Sequence, residues 1–285
     1  DFPATEVDQL AFFVQDEIEL MNGRLILSPG IRYDDFEAKA TADAIYLAGN
    51  PGISAPEDFS DSEVTAKLGV VYEFTSDLSI YGNVSEGFRA PPYDDVNVGF
   101  TNFIGGYKTI SNAALESETS IGYEIGTRLR GGWGSVNVAV FKNDYDNFIE
   151  SLATAPAFAG SGGIDPADGL LTFQSVNLSE VEIKGLEFSG ELSLAPLNDS
   201  LEGSAFKFAL AYAEGENIAA AEPLDSIEPL SAVFGLTYDA PSGKWGGDLV
   251  FSLAKGKDAS DINSTSARNE TSGYGSLDLM SYLQV

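Results

Sequence analysis

The chain has 285 residues, no Cys, no His, 30 Gly and a formal charge of −29, from 44 acidic against 15 basic side chains. Without Cys there are no disulfides or thiolate metal sites, and without His the commonest metal ligand and acid–base catalyst is gone; serine-triad, zinc-hydrolase and His-based mechanisms are excluded for this chain. The acidic excess repels phosphate, which argues against nucleic-acid binding.

Taken in order, about eleven stretches alternate apolar and polar residues, the side-chain period of a β-strand with one greasy and one wet face. The first lies near Asp8–Leu20, with Leu10, Phe12, Val14, Ile18 and Leu20 in phase. Met21-Asn22-Gly23 turns it into Arg24–Asp34, where Leu25, Leu27, Ile31 and Tyr33 share a face. After a long gap, Asp35–Asp61, comes Glu63–Phe74, then the tight turn Thr75-Ser76-Asp77 into Leu78–Phe88. A second long gap, Arg89–Glu118, precedes Thr119–Arg130, with Ile121, Tyr123, Ile125 and Leu129 on one side. Gly131-Gly132 supplies a permissive hairpin turn into Ser135–Ile149. A third gap, Glu150–Leu170, leads to Thr172–Leu194, and Phe206–Ala213 follows after a short connection. The gap Glu214–Glu228 precedes Leu230–Tyr238, which Ala240–Gly243 turns into Lys244–Leu253; the last gap, Lys255–Ser272, leads to Gly273–Val285.

Short connections (21–23, 75–77, 131–134, 195–203, 240–243) and long ones (35–61, 89–118, 150–170, 214–228, 255–272) interleave without exception. A soluble sandwich or propeller also alternates, but has no reason to put every long loop at one end; a membrane barrel does. No run of 18 apolar residues encodes a membrane helix, which a barrel does not need. The predicted fold is therefore all-β, an antiparallel transmembrane barrel. Its short turns face the periplasm and its long loops face outside, so that Asp1 begins outside and Val285 ends on the periplasmic side. An odd strand count does not close such a barrel, and an open edge in lipid leaves backbone groups unsatisfied. The chain is accordingly expected to be a piece of one larger barrel domain, and its start, Asp1-Phe2-Pro3, reads as a mature or truncated end rather than a signal peptide.

The second long gap carries the most specific residues. It opens Gly87-Phe88-Arg89-Ala90-Pro91-Pro92-Tyr93 and closes Asn112-Ala113-Ala114-Leu115-Glu116-Ser117-Glu118-Thr119-Ser120. This resembles TonB-dependent outer-membrane receptors, in particular the haem/haemoglobin receptor family, with its Phe-Arg-Ala-Pro box, its Asn-Pro-Asn-Leu box and the Glu-Thr-Ser that follows. The first box stands intact at Phe88–Pro91; in the second, Asn112 and Leu115 match while Ala113 and Ala114 replace Pro and Asn. Phe13-Val14-Gln15-Asp16-Glu17, Phe141–Ile149, Val176-Asn177 and Ile183-Lys184-Gly185-Leu186-Glu187 are similar to further strands of that family.

The resemblance implies the middle and later half of a 22-stranded barrel, with plug and early strands before Asp1 and the final strands after Val285. It implies a receptor that imports an iron compound, haem or haemoprotein-derived iron ahead of a ferric siderophore, and that is not an enzyme. The implied partners are outer-membrane lipid, the iron-bearing ligand, and the TonB–ExbB–ExbD energising complex acting through the plug. The expected ligand contacts are Phe88, Arg89, Ala90, Pro91, Tyr93, Tyr107, Asn112 and Leu115, with no resident cofactor and no metal site. Receptors of this family usually carry a His between the two boxes; here there is none. The first reading of Tyr93 and Tyr107 is that they pack the loop; the second is that one of them substitutes as a tyrosinate ligand for ferric haem. A passive porin and a secreted β binding protein remain alternatives.

Other constellations read more plainly. Asp144, Asp146 and Asn147 lack a calcium-loop pattern and suit a solvated rim. Glu17, Glu19, Glu124 and Glu187 fit a wet interior rather than a glycosidase pair. Arg128 and Arg130 are expected to balance interior carboxylates or the plug, and Trp245 to belong to an interfacial girdle. A charge of −29 would repel anionic cargo at low salt; at marine salt the Debye length falls to roughly 4 Å, which points to a marine or salt-tolerant source.

Overall fold

A computed structural model describes residues 3–49, 56–97, 99–264 and 268–284. Among these residues the strands are β1 (Ala4–Gln15), β2 (Ile18–Leu20), β3 (Leu25–Thr41), β4 (Phe59–Glu73), β5 (Leu78–Arg89), β6 (Phe100–Asn102), β7 (Tyr107–Ile110) and β8 (Glu118–Gly131). They continue as β9 (Gly134–Thr154), β10 (Leu171–Ser193), β11 (Ser204–Asn217), β12 (Glu222–Pro223), β13 (Ser231–Asp239), β14 (Trp245–Ala254) and β15 (Tyr274–Leu283). Two short helices, α1 (Ala44–Gly49) and α2 (Tyr93–Asn97), sit in the long loops; no helix among the described residues is long and apolar enough to cross a membrane, a fact that says nothing about crossing by strands.

Eleven strands form the wall, each hydrogen-bonded to its neighbour in the order β1-β3-β4-β5-β8-β9-β10-β11-β13-β14-β15. The sheet is open, with β1 and β15 at its two ends. β2 continues β1, since Gln15 pairs with Gly30 and Ile18 with Leu27 in one unbroken register. The interruption lies opposite Pro29: its carbonyl accepts from the Asp16 N–H (3.1 Å), but the ring has no N–H to return.

The pairing puts the alternation into one consistent pair of faces. Phe12 pairs with Tyr33 and Tyr33 with Val64; Leu68 pairs with Val84, Val84 with Tyr123, and Ile125 with Val140. Val140 pairs with Leu186, Leu186 with Tyr212, Phe206 with Leu236, and Leu236 with Leu249. Many of these apolar side chains are exposed, as lipid-facing residues must be. On β4 the outward residues run from Val64 to Tyr72, with Phe74 just beyond. That is about 34 Å of strand at ~3.4 Å per residue, or about 26 Å of height at a tilt near 40°, the height of an outer-membrane apolar band.

Aromatic residues mark one border of this band, beside the short turns. Tyr72 meets Phe74 edge-on at 4.7 Å, and Tyr238 lies 4.9 Å from the half-exposed Trp245. The opposite border is charged. On the same outward face, Lys142 pairs with Asp144 and Glu182 (3.0 Å each), Lys184 pairs with Glu182 (3.0 Å), and Tyr212 donates to Glu214.

Above that belt the strands keep going. β3 reaches Thr41 and β4 starts at Phe59, joined by the Ala38–Phe59 pair, where the sequence reads as a gap from Asp35 to Asp61. β9 runs to Thr154 rather than Ile149, and β11 to Asn217 rather than Ala213. Outside the bilayer the outward positions no longer need to be apolar, so the alternation fades while the hydrogen-bond ladder persists.

The inner face carries polar side chains. Arg128, expected to balance interior carboxylates or the plug, lies over the Tyr81 ring, 4.4 Å from its centroid, and makes no ion pair with a carboxylate among the described residues. Tyr81 is opposite Gly126, where a Cβ would collide with the ring, so the missing side chain is what lets the ring lie against the wall.

Candidate functional site

Residues 90–117 connect β5 to β8, and their sequence folds them back onto the inner side of the wall. The base is the cross-strand pair Arg89–Glu118. Glu118 is buried and its Oε2 accepts the Ile149 N–H at 2.9 Å, while the guanidinium of Arg89 stands off at 3.6 Å and is half exposed. Val96 of α2 and Leu115 bury themselves against Ile149 in a small apolar core. Ile149 is in phase with Tyr145 and Asn143 on the inner face, so this core lies inside the wall.

Side chains of β10 then fix the returning segment. Asn177 Oδ1 accepts the Glu116 N–H (2.9 Å), and its Nδ2 donates to the Glu116 carbonyl (3.0 Å) and the Asn147 carbonyl (2.7 Å). Asn112 donates through Nδ2 to the Ser175 carbonyl (2.9 Å) and through its backbone N–H to the Asp95 carbonyl (2.9 Å). Ser175 Oγ donates to Asp95 Oδ1 at 2.8 Å. Backbone groups that a loop would expose to water are thus satisfied within the protein.

The middle of the loop is a hairpin of β6 and β7, pairing Phe100 with Thr109 and Asn102 with Tyr107. β7 adds in parallel to Leu171–Gln174. This edge of β10 would otherwise be bare, because β11 pairs with β10 only from Val181 onward. Lys108 locks the junction with ion pairs to Asp165 at 2.6 Å and Asp168 at 2.7 Å. Burial opposes the lysine's charge, but hydrogen bonds to the two carboxylates outweigh it and hold the ammonium above its ordinary value. The lysine in turn holds both carboxyls below theirs, helped by the N–H groups of Ala167 and Leu170.

The structure gathers the expected ligand residues in one place but gives them different surroundings. Arg89 and Tyr93 are exposed; Phe88, on the outward face, Ala90 and Asn112 are half-buried; Pro91 and Leu115 are buried. Tyr107 is half-buried, its ring 6.3 Å from both Phe100 and Phe173. Sequence reasoning missed Lys108, Asp165, Asp168 and Ser175 altogether, and took Asp95 only as part of the loop's opening and Asn177 only as part of a strand. One signal was present: Lys108 is the sole basic residue between Ala90 and Glu118.

A neighbouring long loop hydrogen-bonds a half-buried carboxyl on β9. Ser226 donates to Glu150 Oε2 at 3.1 Å. Burial raises the Glu150 carboxyl above its ordinary value, with Asp225 adding to the rise, against the opposing pull of Ser226, Arg268 and Lys257. A raised acid favours the packed loop while it is protonated, and that advantage is lost as pH rises from the unfolded-state value through the folded one. The protection factors of the Ser226 and Ile227 amides, with the intrinsic pH dependence of exchange divided out, are therefore expected to be higher at pH 5 than at pH 8, and Glu150→Gln to remove the difference. An unchanged pH dependence in that variant would refute the assignment.

A family model described as "TonB dependent receptor-like, beta-barrel" matches residues 1–285. Among curated proteins, "Hemoglobin and hemoglobin-haptoglobin-binding protein A" of Haemophilus influenzae is 26% identical over 245 residues, covering 81% of this chain and 22% of that protein. "Hemoglobin-haptoglobin utilization protein B" of Neisseria meningitidis serogroup C is 27% identical over 289 residues, covering 93% and 35%. The chain thus spans about a fifth to a third of the length of these relatives. Among solved structures, the copper transporter OprC superposes with a TM-score of 0.72 at 18% identity, covering 98% of this chain and 40% of that one. The unliganded ferric citrate transporter FecA gives 0.68 at 18% identity, covering 98% and 38%. At such identities the structural likeness concerns the fold alone.

Proposed function

The chain belongs to the TonB-dependent receptor β-barrel family, and on that footing we propose that it is part of the wall of a receptor in the outer membrane of a Gram-negative bacterium, importing an iron compound. Haem or haemoprotein-derived iron comes first, because the sequence relatives are named for binding haemoglobin. A ferric siderophore is the second reading; a ferric enterobactin receptor is among the structures sharing the fold.

The observation that carries the proposal is the loop of residues 90–117, pinned against the inner wall with Arg89 and Tyr93 left exposed. An inward loop narrows the mouth of a barrel and presents side chains to whatever enters. Arg89 would meet an anionic edge of the cargo and Tyr93 would offer a phenolate to ferric iron. Ala90, Pro91, Asn112 and Leu115 would brace these two and Tyr107 would pack the hairpin, whereas Phe88, expected among the contacts, faces outward and would not meet cargo. The wall does no chemistry on the cargo, which crosses unchanged; a plug would be pulled by TonB–ExbB–ExbD. The charge of −29 would favour uptake at high salt.

A strain expressing the full receptor should outgrow its deletion strain on haem, or on one ferric siderophore, as sole iron source. Equal growth of both strains on every iron source would sink the proposal.

A further inference from the structure

The hairpin tip is the part of the loop that the braces above do not explain. Phe100–Tyr107 contains no charged residue, in a chain of net charge −29. Phe103 is 80% exposed and Ile104 102% exposed. Two large apolar side chains left unpacked against the rest of the chain forgo the stabilisation that burial would bring, about 1.5–3 kcal/mol each. A slack tip would fold back and recover some of it. This one is held out. The Gly105 N–H is capped by Asn102 Oδ1 at 2.8 Å, Tyr107 is wedged between Phe100 and Phe173, β7 is hydrogen-bonded along Leu171–Gln174, and Lys108 is gripped by two aspartates.

We propose that Phe103 and Ile104 form an apolar contact surface for the imported iron compound, and that Lys108 is the positioning residue that holds this surface out. The inference rests on the cargo reading above. The ligand chemistry follows from the tip itself: it is uncharged and presents a phenyl ring and an aliphatic side chain, which suits the flat aromatic face of the compound, either a porphyrin or an aryl-bearing chelate, while Arg89 meets its anionic edge. The loop of residues 155–170, which supplies Asp165 and Asp168, then belongs to the same gripping unit although it touches no cargo itself.

The test uses the full receptor in detergent, titrated separately with iron(III) protoporphyrin and with a ferric tris-catecholate. The probe that the unmodified receptor binds identifies the source of the aromatic face. For that probe, the double variant Phe103→Ser with Ile104→Ser should weaken binding about tenfold or more, while Phe103→Leu with Ile104→Leu retains most of it. Amide protection of residues 112–117 should stay unchanged in both, which separates local loss from collapse of the loop. Lys108→Met should weaken binding and speed exchange at the tip, and Lys108→Arg should restore both. Parent-like binding by the serine variant, or equal loss in the leucine variant, overturns the contact surface; parent-like binding by Lys108→Met overturns the positioning role. If the unmodified receptor binds neither probe, the cargo reading itself fails and takes this inference with it.

Discussion

Replacing Leu249 by Arg is expected to destabilise the barrel by about 2–4 kcal/mol, while Val250→Arg, one residue along, costs less than about 1 kcal/mol. The two positions differ only in face. Leu249 stands opposite Leu236 and Leu279 on the outward, lipid-facing side of β14, midway between Trp245 and Leu253. A guanidinium there must leave water for hydrocarbon, or drag water and headgroups inward. Val250 faces the interior, where polar groups already line the wall. The measurement is the urea midpoint of refolding into vesicles for the parent receptor and the two variants. Equal losses at both positions would contradict the assignment of faces, and with it the membrane reading of the sheet.

The second large effect belongs to Asn177. Asn177→Ala removes three hydrogen bonds and leaves the Glu116 N–H, the Glu116 carbonyl and the Asn147 carbonyl without that partner. At about 1–1.5 kcal/mol for each net bond, the segment of residues 111–117 should lose about 3–4.5 kcal/mol of local stability. Amide exchange at Glu116 should quicken by two orders of magnitude or more, whereas exchange in the wall below Glu182 stays slow, because that ladder does not depend on the loop. Leu115 should lose protection together with Glu116, since it shares the small core with Val96 and Ile149. Retained protection in the variant would show that the apolar core alone holds the loop.

Much of the wall is legible in the chain itself. A strand half in lipid must repeat every second residue, so Leu10, Phe12 and Val14, or Phe206, Phe208 and Leu210, declare their face without help from any neighbour. Turn residues are equally local: Met21, Asn22 and Gly23 all take positive φ, as their position between two such strands suggests. Arg128 is the instructive departure. Its charge reads as a partner for a carboxylate, but a tyrosine one strand away offers a ring, and strand neighbours are a property of the register.

The candidate site divides along the same line. Phe88–Pro91 and Asn112–Leu115 mark where the functional loop lies, because those boxes are short and contiguous. Their surroundings come from elsewhere in the chain: Asn177 and Ser175 on β10, Asp165 and Asp168 in the next long loop, Ile149 on β9. The sequence alone therefore determined the alternating strands, the placing of turns and long loops, and the family, all of which depend on residues a few positions apart. The tertiary structure decided that the second long loop lies inside the wall, that Pro91 and Leu115 are buried while Arg89 and Tyr93 remain exposed, and that Lys108 holds an uncharged tip in place. Those outcomes depend on hydrogen bonds and ion pairs between residues up to 80 positions apart, such as Asp95 with Ser175 (80 apart) and Lys108 with Asp168 (60 apart), which no local pattern encodes.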